Sequence, residues 1–385
     1  MSTQAASSIL FTHTSPQQGF KLLELPSDLA DLLTSKEAPT LELKSPPANP
    51  SHQTHPPTEE SREYVNLCTA TKTYRVRQVQ SSNSIHIIRP SDSGVERGDI
   101  DIVGGSTDGL NLVETVTAIA ICGSTLELHT PPEGFSAVPV LERILPVYDD
   151  GEEAEVMEVD VGEVIRRVFA DVPVSGVQCE EGWIEVCGFV LRRGSGGDVV
   201  GWCRRPSAET KLGVWRRVLE GAVLQGIDLG RQFLVKDLWR SVLDEGEEPF
   251  PRALFEAVVR RVCAGSGLLF EDIKWASIDQ ASCTQWVGEI YLEAVAPTAT
   301  SGVGRSEFLN AWKDLLPEPW RGDVAFSKLT ENSFKYPDPT TICFVNSADR
   351  QKTKKNASTD ASAATTAKKT RNWHELFKNQ KRQKR

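Results

Sequence analysis

The sequence lacks paired cysteines and clustered histidines. Its eight cysteines include no Cys-x-x-Cys pair, and its six histidines are scattered along the chain. Zinc sites and disulfide frameworks both require a recognisable spacing of such residues. We therefore expect neither. Since most of the cysteines lie in apolar segments such as 183–190 and 340–345, we predict buried, reduced thiols.

Motifs of nucleotide-dependent and hydrolytic enzymes are also missing. There is no GxxxxGK[ST] phosphate loop, no GxGxxG motif after a strand and no GxSxG elbow. No histidine stands in a sequence context typical of a Ser or Cys nucleophile, and no carboxylate pair stands out by its spacing. We therefore predict a protein with no enzymatic activity and no cofactor.

Long apolar runs are absent as well. No run approaches the roughly 20 residues that a membrane-spanning helix needs. The N-terminus shows no charged-then-apolar signal segment. We therefore expect a soluble intracellular protein that makes no membrane contact.

The charge is divided unevenly along the chain. Residues 350–385 hold 12 Lys/Arg and two Asp/Glu, a net of +10; with −10 for the whole chain, the remainder carries −20. The basic tail can be interpreted as a nuclear import signal, as a nucleic-acid contact, or as a solvated segment that only increases solubility. For nuclear import, the candidate residues are Lys368, Lys369, Lys381, Arg382, Lys384 and Arg385.

The first third of the chain carries strand signals. After a short helix at 27–33, which Ser27 is predicted to cap, residues 44–63 are rich in Pro and polar residues, and we predict that they are disordered. From Tyr64 onward apolar and polar residues alternate, with turns predicted at 70–72 and 81–84. We predict a β-rich, barrel-like domain over 1–135 whose open edges a partner completes.

The rest of the chain shows a repeated helical pattern. Helical periodicity at 161–172 precedes two predicted strands, 183–193 and 198–205, as in a winged helix. We predict winged-helix modules at 136–207 and 208–296, the second closed by a strand at 284–295. A partial third module at 304–347, opened by a Ser306 cap, and a disordered basic tail at 348–385 complete an α+β fold.

Arginine pairs in these modules are candidates for DNA contact. A winged helix can set its third helix in the major groove and its wing against the phosphates. The same arginines read equally as a solvated surface or as a protein interface, and DNA binding by this acidic chain is expected to be weak and non-specific. The candidates are Arg166, Arg167, Arg192, Arg193, Arg204, Arg205, Arg260 and Arg261.

Residues 67–84 resemble the hallmark of the Dcc-one family. The family pattern is a Leu-Cys-Thr strand, then Lys-Thr-Tyr, then Ser-Asn-Ser; the matching residues here are 67–69, 72–74 and 82–84. The resemblance extends less strongly from about Gly19 to Asn346. It implies that residues of these strands contact partner subunits, and the candidates are Leu67, Cys68, Thr69, Lys72, Thr73, Tyr74, Val76, Ser82 and Asn83.

The resemblance also implies a cellular role. Members of the family are subunits of an alternative, Ctf-type replication factor C clamp loader that loads or unloads PCNA and supports sister chromatid cohesion. The implied partners are the small Ctf-eight-type subunit and the C-terminal end of the large loader subunit, and through them PCNA and polymerase epsilon. The implied location is the nucleus, with ATP hydrolysis left to other subunits. The alternative, from the residues alone, is a free-standing winged-helix DNA-binding regulator.

Overall fold

The computed structural model describes residues 10–45, 64–90, 115–149, 160–195, 198–263, 269–270, 272–346 and 350. The chain divides into two units. The first comprises Met1–Phe135 and Asp171–Gln178, and the second comprises Ser136–Ala170 and Cys179–Arg385. The mixed α+β class predicted from the sequence is confirmed. The basic tail after Arg350 and the core of the Pro-rich insert, 46–63, lie outside the described residues, as do the six import candidates.

The first unit is built on one six-stranded sheet. Its elements are β1 (Leu10–Gly19), β2 (Leu22–Glu24), α1 (Ser27–Thr34), β3 (Glu42–Lys44), β4 (Val65–Cys68), β5 (Thr73–Pro90) and β6 (Thr115–His129). The strand order is β1-β6-β5-β4-β3, and β2 pairs with β6 as well. Strand β6 runs parallel to β1 and β2 and antiparallel to β5. Since β1 and β3 do not pair with each other, the described strands do not close into a barrel.

Two local predictions in this unit are wrong. The turn predicted at 81–84 is an irregularity inside β5, which continues to Pro90; Gln80 pairs with Ser124 and Ile85 with Cys122. Ladder pairing on both sides of the polar residues keeps the strand together. Ser27 does not cap α1 but is its first helical residue, after Pro26. The turn predicted at 70–72 is confirmed.

The second unit is mainly helical. Its helices are α2 (Val138–Ile144), α3 (Val161–Ala170), α4 (Gly176–Glu185, whose first residues belong to the first unit), α5 (Ala208–Gln225), α6 (Val235–Val242), α7 (Arg252–Val262), α8 (Gln280–Val295) and α9 (Arg305–Asp314). Short strands lie between them: β7 (Phe189–Ser195), β8 (Asp198–Arg204), β9 (Phe233–Leu234), β10 (Trp275–Ala276), β11 (Val303–Gly304), β12 (Phe334–Lys335) and β13 (Thr341–Phe344). Three 3₁₀ segments, Ala299–Ser301, Glu318–Asp323 and Phe326–Lys328, complete it.

Three predictions in this unit are also wrong. Residues 284–295 form most of helix α8 and not a strand. Residues 183–185 end helix α4, so that the first strand of the hairpin begins only at Phe189. Ser306 lies inside α9, which Gly304 precedes. In the first two segments an apolar run suits a buried helix as well as a strand, and packing selects the helix.

One large core holds the second unit together. Trp215, Phe255, Phe308 and Trp312 are fully buried in it. The Trp215 indole nitrogen donates to the Leu315 carbonyl at 2.8 Å, and that of Trp312 to the Thr284 carbonyl at 2.9 Å. Both polar atoms are therefore satisfied within the apolar interior.

The cysteines are free thiols, as predicted, and none is in a disulfide. Six are buried, while Cys203 and Cys263 are partly exposed. Burial raises the pKa of Cys203 to about 11 and that of Cys263 to about 12, so both stay protonated near neutral pH. Among the described residues, no group of His, Cys, Asp or Glu side chains could hold a metal ion, and no helix is long and apolar enough to cross a membrane.

Candidate partner surface and candidate nucleic-acid surface

The β4–β5 hairpin is closed by a threonine of the Leu-Cys-Thr motif. The Thr69 backbone N–H donates to the Lys72 carbonyl at 2.8 Å. The Thr69 hydroxyl oxygen accepts from the Lys72 N–H at 2.9 Å and from the Thr71 N–H at 3.3 Å. A short polar side chain that bonds to nearby backbone in this way stabilises a tight turn. Thr69 therefore sets the turn that joins the two strands.

The same hairpin holds the segment Asp171–Gln178 of the first unit. The Asn66 side-chain amide donates to the Pro173 carbonyl at 2.6 Å. The Thr73 hydroxyl accepts from the Ser175 N–H at 2.7 Å and donates to the Gln178 side-chain oxygen at 2.6 Å. Asn66, Thr73 and Ser175 are buried. Buried polar groups are costly to leave unpaired, so these bonds anchor the segment on the sheet.

A third polar cluster ties helix α1 to β5. The Tyr74 hydroxyl and the Lys72 ammonium each donate to Oδ2 of Asp28 at 2.8 Å. These two contacts hold the pKa of the Asp28 carboxyl below its usual range. Burial first, and then the bond to Asp28, raises the pKa of Tyr74 to about 12. At neutral pH the Tyr74 phenol is therefore protonated and the Asp28 carboxyl is ionised, and this one carboxylate accepts hydrogen bonds from both Tyr74 and Lys72.

These contacts place the nine predicted partner residues. Leu67, Cys68, Thr69, Thr73 and Tyr74 are buried, and Val76 packs against the small core formed by Leu29, Leu67 and Tyr74. Lys72 and Asn83 are exposed, while the side chain of Ser82 lies outside the described residues. The buried members build the sheet, and direct contact of the nine with a partner stays a prediction. Sequence reasoning missed Asp28, Asn66, Ser175 and Gln178, which carry no motif of their own.

Removing the Thr73 hydroxyl is expected to loosen the anchored segment. Thr73→Val keeps the shape but removes the acceptor of the Ser175 N–H at 2.7 Å and the hydroxyl that donates to the Gln178 amide oxygen. Although that oxygen still accepts from the Ser175 hydroxyl at 3.0 Å, the loss of both Thr73 bonds should lower the unfolding free energy by about 1–3 kcal/mol. Thr71→Val is the control, because Thr71 is exposed and such surface changes usually cost less than about 0.5 kcal/mol. Urea unfolding of the two variants, with hydrogen exchange read at residues 175–178, measures the difference. Equal stabilities would contradict the anchoring role.

An apolar surface lies at the other end of the sheet. Ile85, Ile87 and Ile88 of β5 are 46%, 45% and 53% exposed. They pair with Cys122, Ala120 and Ala118 of β6, three small buried residues. Residues two apart on a strand share a face, so Ile85 and Ile87 project together, beside the small residues Cys122 and Ala120 with which they pair. The register of β5 against β6 shifts between Ile87 and Ile88, so Ile88 follows an irregularity and lies outside this pair. We call Ile85 and Ile87 the isoleucine face. Exposed apolar patches often mark protein–protein contact sites.

The arginine candidates fall in three places. Arg166 and Arg167 are exposed on α3, where Arg166 lies 3.7 Å from Asp160 and Arg167 is paired with Glu163. The side chains of Arg192 and Arg193, on β7, lie outside the described residues. Because exposed pairs of this kind are weak, Arg166 and Arg167 can exchange their acidic neighbours for a phosphate.

The other four arginines are more enclosed. The Arg204 guanidinium lies 5.4 Å from the ring centroid of Trp202, and Nε of Arg205 donates to the Glu142 carbonyl at 3.1 Å. Arg260 lines an open hollow of about 550 Å³ between α3, α4, β7 and α7. Arg261 turns a buried Nε inward, and no hydrogen-bond partner for it lies among the described residues. Arg261 is therefore poorly placed to reach a phosphate.

Comparison with known proteins identifies the family of this chain. A comparison with individually curated protein sequences gives no match to this chain. The family model described as sister chromatid cohesion protein Dcc1 matches residues 20–349, most of the chain. The matched range includes the β4–β5 hairpin, the isoleucine face and the described part of the helical unit up to Asn346. The chain therefore belongs to the family of sister chromatid cohesion protein Dcc1, and this membership implies a role in sister chromatid cohesion.

Proposed function

We propose that this chain is a non-catalytic subunit of an alternative replication factor C-like clamp loader, and that another polypeptide completes its N-terminal sheet. In this role it supports PCNA loading and unloading at replication forks in the nucleus, while ATP hydrolysis belongs to other subunits. Its direct partners are the small Ctf-eight-type subunit and the C-terminal end of the large loader subunit. Family membership supports the proposal, and one structural observation carries it: the uncovered isoleucine face.

The energetics of that face favour a bound partner. Fully burying an isoleucine side chain contributes about 1.5–3 kcal/mol. Since Ile85 and Ile87 are each about half exposed, a covering chain gains on the order of 1 kcal/mol at each. Among the described residues of this unit, Leu29, Leu67 and Tyr74 form the centre of a small buried apolar cluster. Burial against a second polypeptide would therefore add substantially to the stability of the unit.

Three winged-helix modules in the second unit are part of the proposal. The order of helix, short strand, further helical segments and two strands occurs three times among the described elements. The first set is α2 with the Val147–Arg205 bridge, α3, α4, β7 and β8. The second is α5, β9, α6, α7, the Cys263–Ile278 bridge and β10. The third is α8, β11, α9, the last two 3₁₀ segments, β12 and β13. In this arrangement α8 opens the third module, which the sequence pattern had assigned to the end of the second.

In the first module, we assign nucleic-acid contact to the β7–β8 hairpin and to α3. The third helix of a DNA-reading winged helix normally enters the major groove. Here that helix is α4, which carries Glu180, Glu181 and Glu185 and no Lys or Arg. Insertion of α4 would bring carboxylates towards phosphates, so we propose weak, backbone-directed binding through arginines of β7, β8 and α3.

Expression with and without the partners tests the assembly. Produced alone, the chain should be largely aggregated or bind a hydrophobic dye. Produced with the small subunit and the C-terminal segment of the large subunit, it should elute as one stoichiometric complex with a higher melting temperature. A monodisperse chain that ignores both partners would contradict the proposal. Selection of one DNA sequence by that free chain would favour a stand-alone regulator.

A further inference from the structure

The hairpin of β7 and β8 displays a tryptophan that the core does not use. Trp202 is 50% exposed, whereas Trp183, Trp215 and Trp239 are buried. A tryptophan side chain is worth burying because of its large apolar area. Half of the Trp202 indole faces solvent. If this position only had to hold the hairpin together, a small polar residue would serve equally well.

A cation holds the exposed indole in place. The guanidinium carbon of Arg204 lies 5.4 Å from the Trp202 ring centroid, and Nη1 of Arg204 also donates to the Cys203 carbonyl at 3.2 Å. Residues two apart on a strand share a face, which explains how the two side chains meet. The contact fixes the ring and makes it a better stacking partner for a flat group on its open surface.

The hairpin carries further basic positions near Trp202. Trp202 pairs with Leu191, and the next pairs along the hairpin are Gly201 with Arg192 and Val200 with Arg193. Three arginine positions (Arg192, Arg193 and Arg204) and one exposed aromatic ring thus lie within a single hairpin. Interleaved cations and aromatic rings are the composition that single-stranded nucleic acid selects.

We propose that Trp202, positioned by Arg204, stacks on an unpaired nucleobase, so that the hairpin binds single-stranded nucleic acid or the single strand of a junction. This inference rests on the proposed nucleic-acid contact of the hairpin and adds its ligand class. Stacking tolerates any base, because every base has a flat face, and it agrees with binding that does not select a sequence. A duplex interior keeps its bases stacked inside and offers none to the indole.

The test compares single-stranded and double-stranded ligands with the full chain in its complex. The probes are an oligothymidine of about 15 nucleotides, within the range that one stacking groove covers, and a blunt duplex of the same length. Trp202→Ala should weaken oligothymidine binding by about five- to tenfold or more and duplex binding much less. Trp202→Phe keeps a ring and should restore most of the affinity.

Trp275 supplies the matched control. It is 57% exposed, and no arginine stacks on it among the described residues. Trp275→Ala should leave oligothymidine affinity unchanged. Photocrosslinking to 5-iodouracil in the same oligonucleotide should label a peptide that contains Trp202.

The outcomes separate this inference from the proposal on which it rests. Unchanged oligothymidine affinity in Trp202→Ala, or equal losses for both ligands, would overturn base stacking. Failure of the wild-type complex to bind either ligand would overturn the nucleic-acid contact itself. Duplex binding serves as the fold check, because it depends on arginines of the same unit and should persist in all three variants.

Discussion

Replacing Ile85 and Ile87 by aspartate is expected to abolish capture of the clamp-loader partners. The pair forms the isoleucine face, and each side chain is about half exposed. A bound partner would bury a carboxylate at both positions without a cation to pair it, which costs several kcal/mol at each. The serine pair Ile85→Ser and Ile87→Ser removes only the apolar contact, about 2 kcal/mol in total, and should weaken binding roughly thirtyfold. Copurification and calorimetric titration of the partners measure both effects.

The control for this experiment lies in the second unit. Val223 and Leu224, at the end of α5, are 72% and 82% exposed, more than the isoleucines. The pair Val223→Asp and Leu224→Asp should therefore leave partner capture intact, although it makes the same chemical change. Loss of capture in both double variants would indicate general destabilisation. Retention in the isoleucine variants would refute this face as the partner surface.

Substitution of Gly288 by alanine is expected to destabilise the second unit strongly. Gly288 lies within α8 directly against the indole of Trp312, and an added Cβ would lie 2.5 Å from Cζ2 of that ring. Trp312 is fully buried and bonded to the Thr284 carbonyl, so the ring cannot move without losing its bond. We expect a loss of at least about 1–3 kcal/mol from overpacking.

The matched control is another helical glycine. A Cβ added to Gly213, in α5, would meet nothing within 4 Å. Gly213→Ala should therefore raise stability by up to about 1 kcal/mol through helix propensity. Thermal and urea unfolding of the two variants should show shifts of opposite sign. A neutral or stabilising Gly288→Ala would contradict the close helix packing of α8 on α9.

Helical periodicity was the most reliable signal in the sequence. The apolar stripe of α3 was predicted from its own residues, because this helix buries a single face. Helix α8 was missed for a different reason. Cys283, Trp286, Val287 and Ile290 recur at helical spacing and are buried, but the aromatic and β-branched residues of 284–295 also favour a strand, and only packing selects the helix.

The irregularity in β5 was missed because its cause is distant in sequence. The polar residues 81–84 have the composition of a turn, yet β6 pairs with β5 on both sides of them. Pairing partners more than thirty positions away override such a local signal. The sequence could therefore predict strands here without predicting that two of them are one.

The candidate partner site divides in the same way. The motif at 67–74 could be recognised from its residues. The hydrogen bonds that this hairpin makes to residues 173–178 could not be predicted, because the bonded residues lie 102 to 107 positions apart in the sequence. Ile85 and Ile87 have the pattern of ordinary strand residues, and only the structure shows each of them about half exposed.

By itself, the sequence determined the α+β composition, the family, the acidic body and the basic tail, because each is written in neighbouring residues or in simple counts. Only the tertiary structure decided which threonine and asparagine anchor the distant segment, which isoleucines remain uncovered and which tryptophan stays in solvent. Burial depends on residues brought together from across the chain, and no local pattern specifies it.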